Sequence, residues 1–304
     1  MRSDDKAYRR KGTAVQTWQV GAVKVTKVVE LERTGGTELM LPPATPDAVK
    51  GIDWLHPHFM TRDGQLKTSN HSLIIETPAR RIIVDTSLGN DKEDRPVSAW
   101  NNLRTPFLSD LAEAGYPAES IDTVLFTHLH MDHVGWNTHL MDGVWVPTFT
   151  NSRHLVVREE YDHWRVNVDT ATDGIHRSYA AAFVDSIQPV VEAGLVDFVN
   201  DDYQVCDEVR LIPTPGHTAG HASVEITSAG ERAIITGDCI HHPCQLAHPE
   251  WTSAGDLDAD QATHTRRQLL SSLANDQALL IGTHFAGPTA GHVVRDGDSF
   301  RLQV

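Results

Sequence analysis

Cysteine is scarce. The chain has three, Cys206, Cys239 and Cys244, and no two form a C-x-x-C pair. An odd, scattered set argues against a disulfide framework and for a reducing cytoplasm. No run of about 18 apolar residues occurs, which excludes a spanning helix. The opening MRSDDKAYRRKG is followed by no apolar stretch, so no secretory signal is expected. Basic residues are outnumbered, 26 Lys plus Arg against 41 Asp plus Glu, for a net charge of −15. That balance argues against a nucleic-acid or anionic-membrane binder. Aromatic residues are few, at 7%, and no internal repeat of solenoid length is visible.

What is abundant is histidine, with 18 residues. Imidazole is both a metal ligand and an acid–base group near neutral pH. The remaining composition, 40% hydrophobic and 22% charged, is that of a globular chain. We expect an N-terminal arm over 1–16 and one domain over 17–304, with 136–200 as an insertion or lid.

Alternation predicts strand over 17–32, interrupted at Gly21, and an irregular segment over 33–67. Strands follow at 70–76 and 81–85. A helix is expected over 99–115, with Pro106 as a competing start and Gly115 as the stop. A short buried strand then leads into a histidine-rich turn. A strand pair is expected near 144–157 and helical stretches near 158–165 and 175–194. Further strands are predicted at 209–214, 222–227, 232–238 and 278–282, with a helix at 258–274. A terminal hairpin should turn at Asp296-Gly297-Asp298. Strand blocks occur twice, each followed by helix. This pattern favours two sheets with helices outside over one doubly wound parallel sheet.

The chemistry concentrates in His128-Leu-His130-Met-Asp132-His133. Four metal-capable side chains sit in six residues directly after the apolar Val124-Leu125-Phe126. Imidazole and carboxylate are the donors that zinc and other first-row divalent ions take. Three more candidates each follow an apolar strand: His217 in Pro-Gly-His-Thr-Ala-Gly-His, Asp238 in Ile-Ile-Thr-Gly-Asp, and His284 in Ile-Gly-Thr-His. A single such residue is more often structural, but four positions together would bring donors to one sheet edge.

This set of motifs resembles the metallo-β-lactamase-fold hydrolases, from about residue 20 to the end. Gly-Asp-Cys-Ile-His-His-Pro and Gly-Thr-His-Phe-Ala-Gly-Pro are similar to the branch of methyl-parathion-hydrolase-like enzymes and acyl-homoserine lactonases. The resemblance implies an α/β (α+β), four-layer αβ/βα sandwich of two mixed sheets. It implies two divalent metal ions, zinc first, with iron, manganese or cobalt as alternatives. His128, His130 and His217 would form one site, and Asp132, His133 and His284 the other. Asp238 would bridge them, and Asp132 and Asp238 would carry the catalytic roles. Asp85 would orient a metal-facing histidine. His221 is expected either in that role or as a structural histidine in a tight turn.

The function implied is hydrolysis of small esters or lactones, and of organophosphate triesters, by a metal-bridging hydroxide. The alternative is an iron-dependent, persulfide-dioxygenase-like oxidoreductase. A nuclease is disfavoured by the acidic charge, and a non-catalytic scaffold by the intact donor set. A small-molecule substrate and a homodimer are the expected partners, without nucleic acid or membrane. Tyr161, Tyr179, His241 and His242 are candidate proton donors by residue type, and neither His241 nor His242 is needed as a ligand. Trp54, Phe59, Trp136, Phe149, Trp164 and Phe183 are candidate pocket walls.

Overall fold

In the computed structural model, which describes residues 15–168 and 174–304, the alternating stretch at the N-terminal end is two strands folded on each other. They are β1 (Gln16–Val20) and β2 (Val23–Thr34), turned at Gly21. Gly21 has φ +56°, and a Cβ there would meet the Ser228 carbonyl, so only glycine fits. Residues 1–14 of the expected arm lie outside the described residues. The next strands are β3 (Lys67–Glu76), β4 (Arg81–Val84) and β5 (Thr123–Leu125). A hairpin follows, β6 (Thr138–Met141) and β7 (Val144–Pro147), then β8 (Arg153–Val157) and β9 (Val196–Val199). The second half holds β10 (Gln204–Cys206), β11 (Val209–Pro213), β12 (Ala222–Ser228), β13 (Glu231–Ile235), β14 (Leu279–Ile281), β15 (Ala290–Asp296) and β16 (Ser299–Gln303).

One sheet has the order β1-β2-β3-β4-β5-β8-β9 and the other runs β10 to β16 in sequence. Both are mixed. β4, β5, β8 and β9 are parallel, as are β13 and β14, and the other pairs are antiparallel. Period-two alternation builds the layers. Ile75, Ile82, Val84 and Leu125 point between the sheets, where they meet Leu211, Val224, Ile235 and Ile281. Their neighbours Ile74, Ile83 and Val124 point outward under helices. Each such buried aliphatic side chain contributes roughly 1.5–3 kcal/mol.

The helices are α1 (Pro46–Val49), α2 (Phe107–Glu113), α3 (Arg158–Asn167), α4 (Gly174–Ala182), α5 (Gln188–Glu192), α6 (Cys244–Ala247) and α7 (Ala259–Asp276). Phe107 and Leu111 of α2 and Trp164 of α3 cover the first sheet. Leu269, Leu270 and Leu273 of α7 cover the second, together with Leu41, Val49, Leu55 and Phe59. The irregular 33–67 segment is therefore an outer wall of the second sheet. The result is the expected four-layer sandwich.

Three local expectations change. The helix read over 99–115 begins only at Phe107, because Pro106 holds Thr105 out of helical geometry and supplies no N–H. The strand pair near 144–157 does not form. β7 turns back on β6 through Asp142-Gly143, both at positive φ, while β8 inserts between β5 and β9. The 175–194 helix is broken by a wider π-type turn at Phe183–Ile187, ahead of Pro189. In that turn the Asp185 carboxylate meets the Arg95 guanidinium at 2.8 Å and Lys92 at 3.5 Å. Lys92 Nζ also donates to the Asp185 carbonyl and lies 3.6 Å from the centre of the Trp145 ring. Tertiary ion pairing thus competes with the helical ladder here. Among the described residues, no helix is long and apolar enough to cross a membrane.

Candidate metal centre

The C-terminal ends of the parallel strands β4, β5, β13 and β14 meet at one edge of the sandwich. Asp85 follows β4, the 127–133 loop follows β5, Asp238 follows β13 and His284 follows β14. The β11–β12 loop adds His217 and His221. All seven expected donors converge there, and the five histidines among them are buried.

The hydrogen bonds assign the histidine faces. The Asp85 carboxylate accepts from the Thr127 amide at 2.9 Å, the Thr127 hydroxyl at 2.8 Å and His133 Nδ1 at 2.8 Å. Through the last of these bonds Asp85 fixes the orientation of the His133 ring. Asp85 sits at φ 55°, a left-handed position that aspartate tolerates better than most residues. His128 Nδ1 donates to the Thr127 hydroxyl at 3.0 Å, and His284 Nδ1 to the Ser69 carbonyl at 3.3 Å. His217 Nδ1 donates to Asp256 at 2.8 Å. In each ring the other nitrogen, Nε2, is left as a lone pair facing inward.

Those lone pairs face one another. His133 Nε2 and His284 Nε2 are 3.1 Å apart, and His217 Nε2 and His130 Nδ1 are 2.9 Å apart. His128 Nε2 is buried without a hydrogen-bond partner. Asp238 stands between the two groups. Its Oδ1 lies 3.3 Å from His133 Nε2 and 3.2 Å from His284 Nε2. Its Oδ2 lies 3.5 Å from His217 Nε2 and 3.9 Å from His128 Nε2. Asp132 approaches His284 Nε2 at 3.4 Å and accepts from Asn70 Nδ2 at 3.3 Å.

Facing lone pairs in a buried site require a positive species between them. Burial opposes charge on His133, yet the Asp238, Asp85 and Asp132 carboxylates outweigh it and hold this imidazole well above the usual range. Burial also opposes charge on His284, and Asp238 and Asp132 raise it nonetheless. Burial and neighbouring imidazoles push His128 and His130 well below. Burial would raise Asp238, but the imidazoles of His284, His133 and His241 hold it well below the carboxylate range. Divalent ions satisfy the same field without protons. The donors form compact groups, His128/His130/His217, His128/His133/Asp238 and Asp132/His133/His284, each with its atoms within 4.8 Å of one another. The donor set thus fits zinc-like ions.

His221 takes the turn position. Its Nδ1 donates to the Thr214 carbonyl at 3.0 Å, and its Nε2 accepts from the Asp238 amide at 2.9 Å. It therefore holds the backbone of Asp238 and directs neither nitrogen at the donor cluster. Gly237, at φ +54°, permits that contact, since a Cβ there would lie 2.5 Å from His221 Nε2.

Three supporting residues carry no sequence signal. Asp256, in the loop before α7, orients His217. Burial opposes its charge, and the hydrogen bond from His217 still keeps its carboxyl low. Glu160 of α3 accepts from the Leu129 amide at 3.1 Å and the Gly220 amide at 2.9 Å, tying both ligand loops to one helix. Arg266 of α7 donates to the Cys239 carbonyl at 2.8 Å, beneath the Asp238 turn. A fourth residue, His241, was legible only as a possible donor of protons. Its Nε2 lies 3.3 Å from Asp238 Oδ2, so it joins His217 and Asp238 as a further compact group. Replacing Asp256 with alanine should weaken metal binding about 10- to 100-fold while leaving the fold intact. Metal titration against a competing chelator, read beside circular dichroism, checks this.

The expected pocket wall mostly belongs to the core. Trp136 donates to Glu30 at 2.7 Å and stacks on Phe107. Phe149 and Phe183 pack under the helices, and Trp54 and Phe59 under the second sheet. Only Trp164 touches the site, edge-on to His130 at 5.3 Å.

The sequence profile described as the metallo-beta-lactamase superfamily matches residues 67–284. The N-acyl homoserine lactonase AiiA of Bacillus thuringiensis subsp. kurstaki is 27% identical over 180 residues, 53% of this chain and 60% of that protein. The chain thus spans less than two thirds of that relative's length. Two solved structures share the fold. AidC, described as a dizinc quorum-quenching lactonase with a bound product, has TM-score 0.76 at 21% identity, covering 95% of this chain and 96% of that one. The hydrolase AbOPH of the beta lactamase superfamily has TM-score 0.78 at 23% identity, covering 96% and 98%.

Proposed function

The chain belongs to the metallo-beta-lactamase superfamily, and from that premise we propose that it is a two-metal, zinc-dependent hydrolase of small esters or lactones. Organophosphate triesters are a further substrate class. The observation that carries this reading is Asp238, with one carboxylate oxygen toward His133 and His284 and the other toward His217 and His128. A carboxylate in that position would bridge two ions. Bound divalent ions would supply Lewis acidity and an activated water at neutral pH.

The chain's own residues do the positioning. Asp85, Asp256 and the Thr127 hydroxyl hold three imidazoles in the tautomer that presents Nε2 inward. Asn70 holds Asp132 at the rim. The lactone class draws support from the lactonase relative and the lactonase structure. A cytoplasmic location, a small-molecule substrate and a homodimer complete the proposal.

The test is a metal count on protein purified without added metal, with three probes: a p-nitrophenyl ester, an acyl-homoserine lactone and methyl paraoxon. About two zinc-like ions per chain with chelator-sensitive turnover of any probe is the expected result. A single iron with no hydrolysis would overturn it in favour of oxidoreductase chemistry.

A further inference from the structure

Of the five imidazoles in the donor set, four are tethered on the side away from the cluster. His128 Nδ1 bonds the Thr127 hydroxyl at 3.0 Å, His133 Nδ1 and His217 Nδ1 bond Asp85 and Asp256 at 2.8 Å, and His284 Nδ1 bonds the Ser69 carbonyl at 3.3 Å. Such outer bonds fix the tautomer and the orientation of a ligating ring. His130 is turned the other way round. Its Nδ1 faces the cluster, 2.9 Å from His217 Nε2, and its Nε2 is buried with no hydrogen-bond partner among the described residues. No hydrogen bond on the outer side sets the tilt of this ring.

Aromatic rings surround it instead. Tyr179 of α4 lies flat on His130, with ring centroids 4.5 Å apart and planes at 17°. Trp164 of α3 meets the same imidazole at 5.3 Å and 64°. Tyr179 and Trp164 also touch each other, at 4.7 Å, so the three rings close a triangle. The tryptophan is itself anchored. Its Nε1 donates to Glu160 Oε1 at 2.7 Å, the oxygen that also accepts from the Leu129 amide beside His130. One α3 carboxylate thus sets the donor loop and the ring that packs on it in a single frame.

We propose that Tyr179 is a positioning residue whose ring holds His130 in the orientation that presents Nδ1 to an ion. The inference rests on the two-metal reading above and is independent of substrate class. Flat packing restricts rotation of the imidazole, so less freedom is lost when an ion binds. A divalent ion also draws electron density out of the imidazole and makes it cation-like. The face of a phenol attracts such a ring more strongly than a neutral one. The stack therefore favours the ion-bound state, which simple apolar contact would not do. Tyr179 acts here through its ring and not through its hydroxyl.

The experiment measures zinc affinity against a competing chelator for the wild type, Tyr179→Phe and Tyr179→Leu. Leucine keeps an apolar contact but has no π face. His130 belongs to the His128/His130/His217 group and not to the Asp132/His133/His284 group. Tyr179→Leu should therefore weaken one ion about tenfold and leave the other within about twofold. Tyr179→Phe, which keeps the ring, should stay within about twofold of the wild type for both. The second readout is proton NMR of the cobalt-loaded protein, where the ring N–H protons of ligating histidines are shifted clear of the rest. The His130 N–H has no acceptor and is sheltered only by packing, so in Tyr179→Leu its exchange with water should quicken at least about tenfold. The N–H that His133 donates to Asp85 should keep its rate. Should the leucine variant fail to fold, Tyr179→Met makes the same comparison. Unchanged affinity and exchange without the ring, equal weakening of both ions, or a loss in Tyr179→Phe as large as in Tyr179→Leu would overturn the proposal. A wild type that holds fewer than two ions would overturn the two-metal reading, and this inference with it.

Discussion

Asp238→Ala should lose both turnover and metal. Its two oxygens are the shared element between the donor groups, at 3.2 and 3.3 Å from one pair of imidazoles and 3.5 Å from His217 on the other side. Removing it leaves each group short of a donor and takes away the negative charge that balances two cations. Activity should fall by more than about a hundredfold, beyond what loss of an orienting partner costs. The metal count should drop below that of the wild type. Asp238→Asn separates charge from shape. It keeps the volume and the contact from Thr283, and should still lose metal because an amide is a poor bridge. Near-normal activity with near-normal metal content in either variant would sink the two-metal assignment. His221→Ala is a useful companion, because it should perturb the Asp238 turn without removing a donor.

Stripping the metals with a chelator should lower the melting temperature steeply, and adding zinc should restore it. A ligand present at about a thousand times its Kd stabilises the native state by about 4 kcal/mol, and two ions act together. For a chain of this size that corresponds to a shift on the order of 10 °C. The stripped protein should also acquire a pH dependence that the loaded protein lacks. Without cations, protons on His133 and His284 are the positive charge between the carboxylates, and both imidazoles are raised above their ordinary 6.5. A raised imidazole contributes stability that is fully present below 6.5 and lost as pH climbs through the raised value. The imidazoles of His128 and His130, which are pushed down, are neutral throughout that window and do not offset the loss. Thermal melts of stripped and loaded protein between neutral and alkaline pH test this. A flat stripped curve would refute the account of how the site's field is satisfied.

The aspartate before α7 shows how the site is divided between local and distant information. The His-x-His-x-Asp-His turn was legible because its donors lie within six residues behind an apolar strand, so local chain geometry alone brings them close. His217, Asp238 and His284 were legible because each closes a strand, and strand ends gather at a sheet edge. Asp256 and Glu160 had no such mark. One lies in a loop and one on a helix face, and both act on backbone or imidazole far away in sequence. The aromatics misled for a related reason. Apolar rings near a site in sequence still seek the largest dry volume, and the helix-covered faces of the sheets offer more of it than the site's mouth.

The elements divided in the same way. Strands with clear period-two alternation and the Asp296-Gly297-Asp298 hairpin formed where local pattern and turn chemistry agree. The break at 183–187 depended on Asp185 being drawn to Arg95 and Lys92, partners some 90 residues away in the chain. Likewise β8 left its neighbour β7 for the first sheet, where Leu155 and Val157 reach the dry interior between the sheets. Donor identity, strand alternation and turn residues are properties of neighbouring residues, and the sequence by itself determined them. Which second residue orients each donor, and which aromatic ring packs against a donor imidazole, was decided only by the tertiary structure, because burial and long-range hydrogen bonds form only once the two sheets have closed on each other.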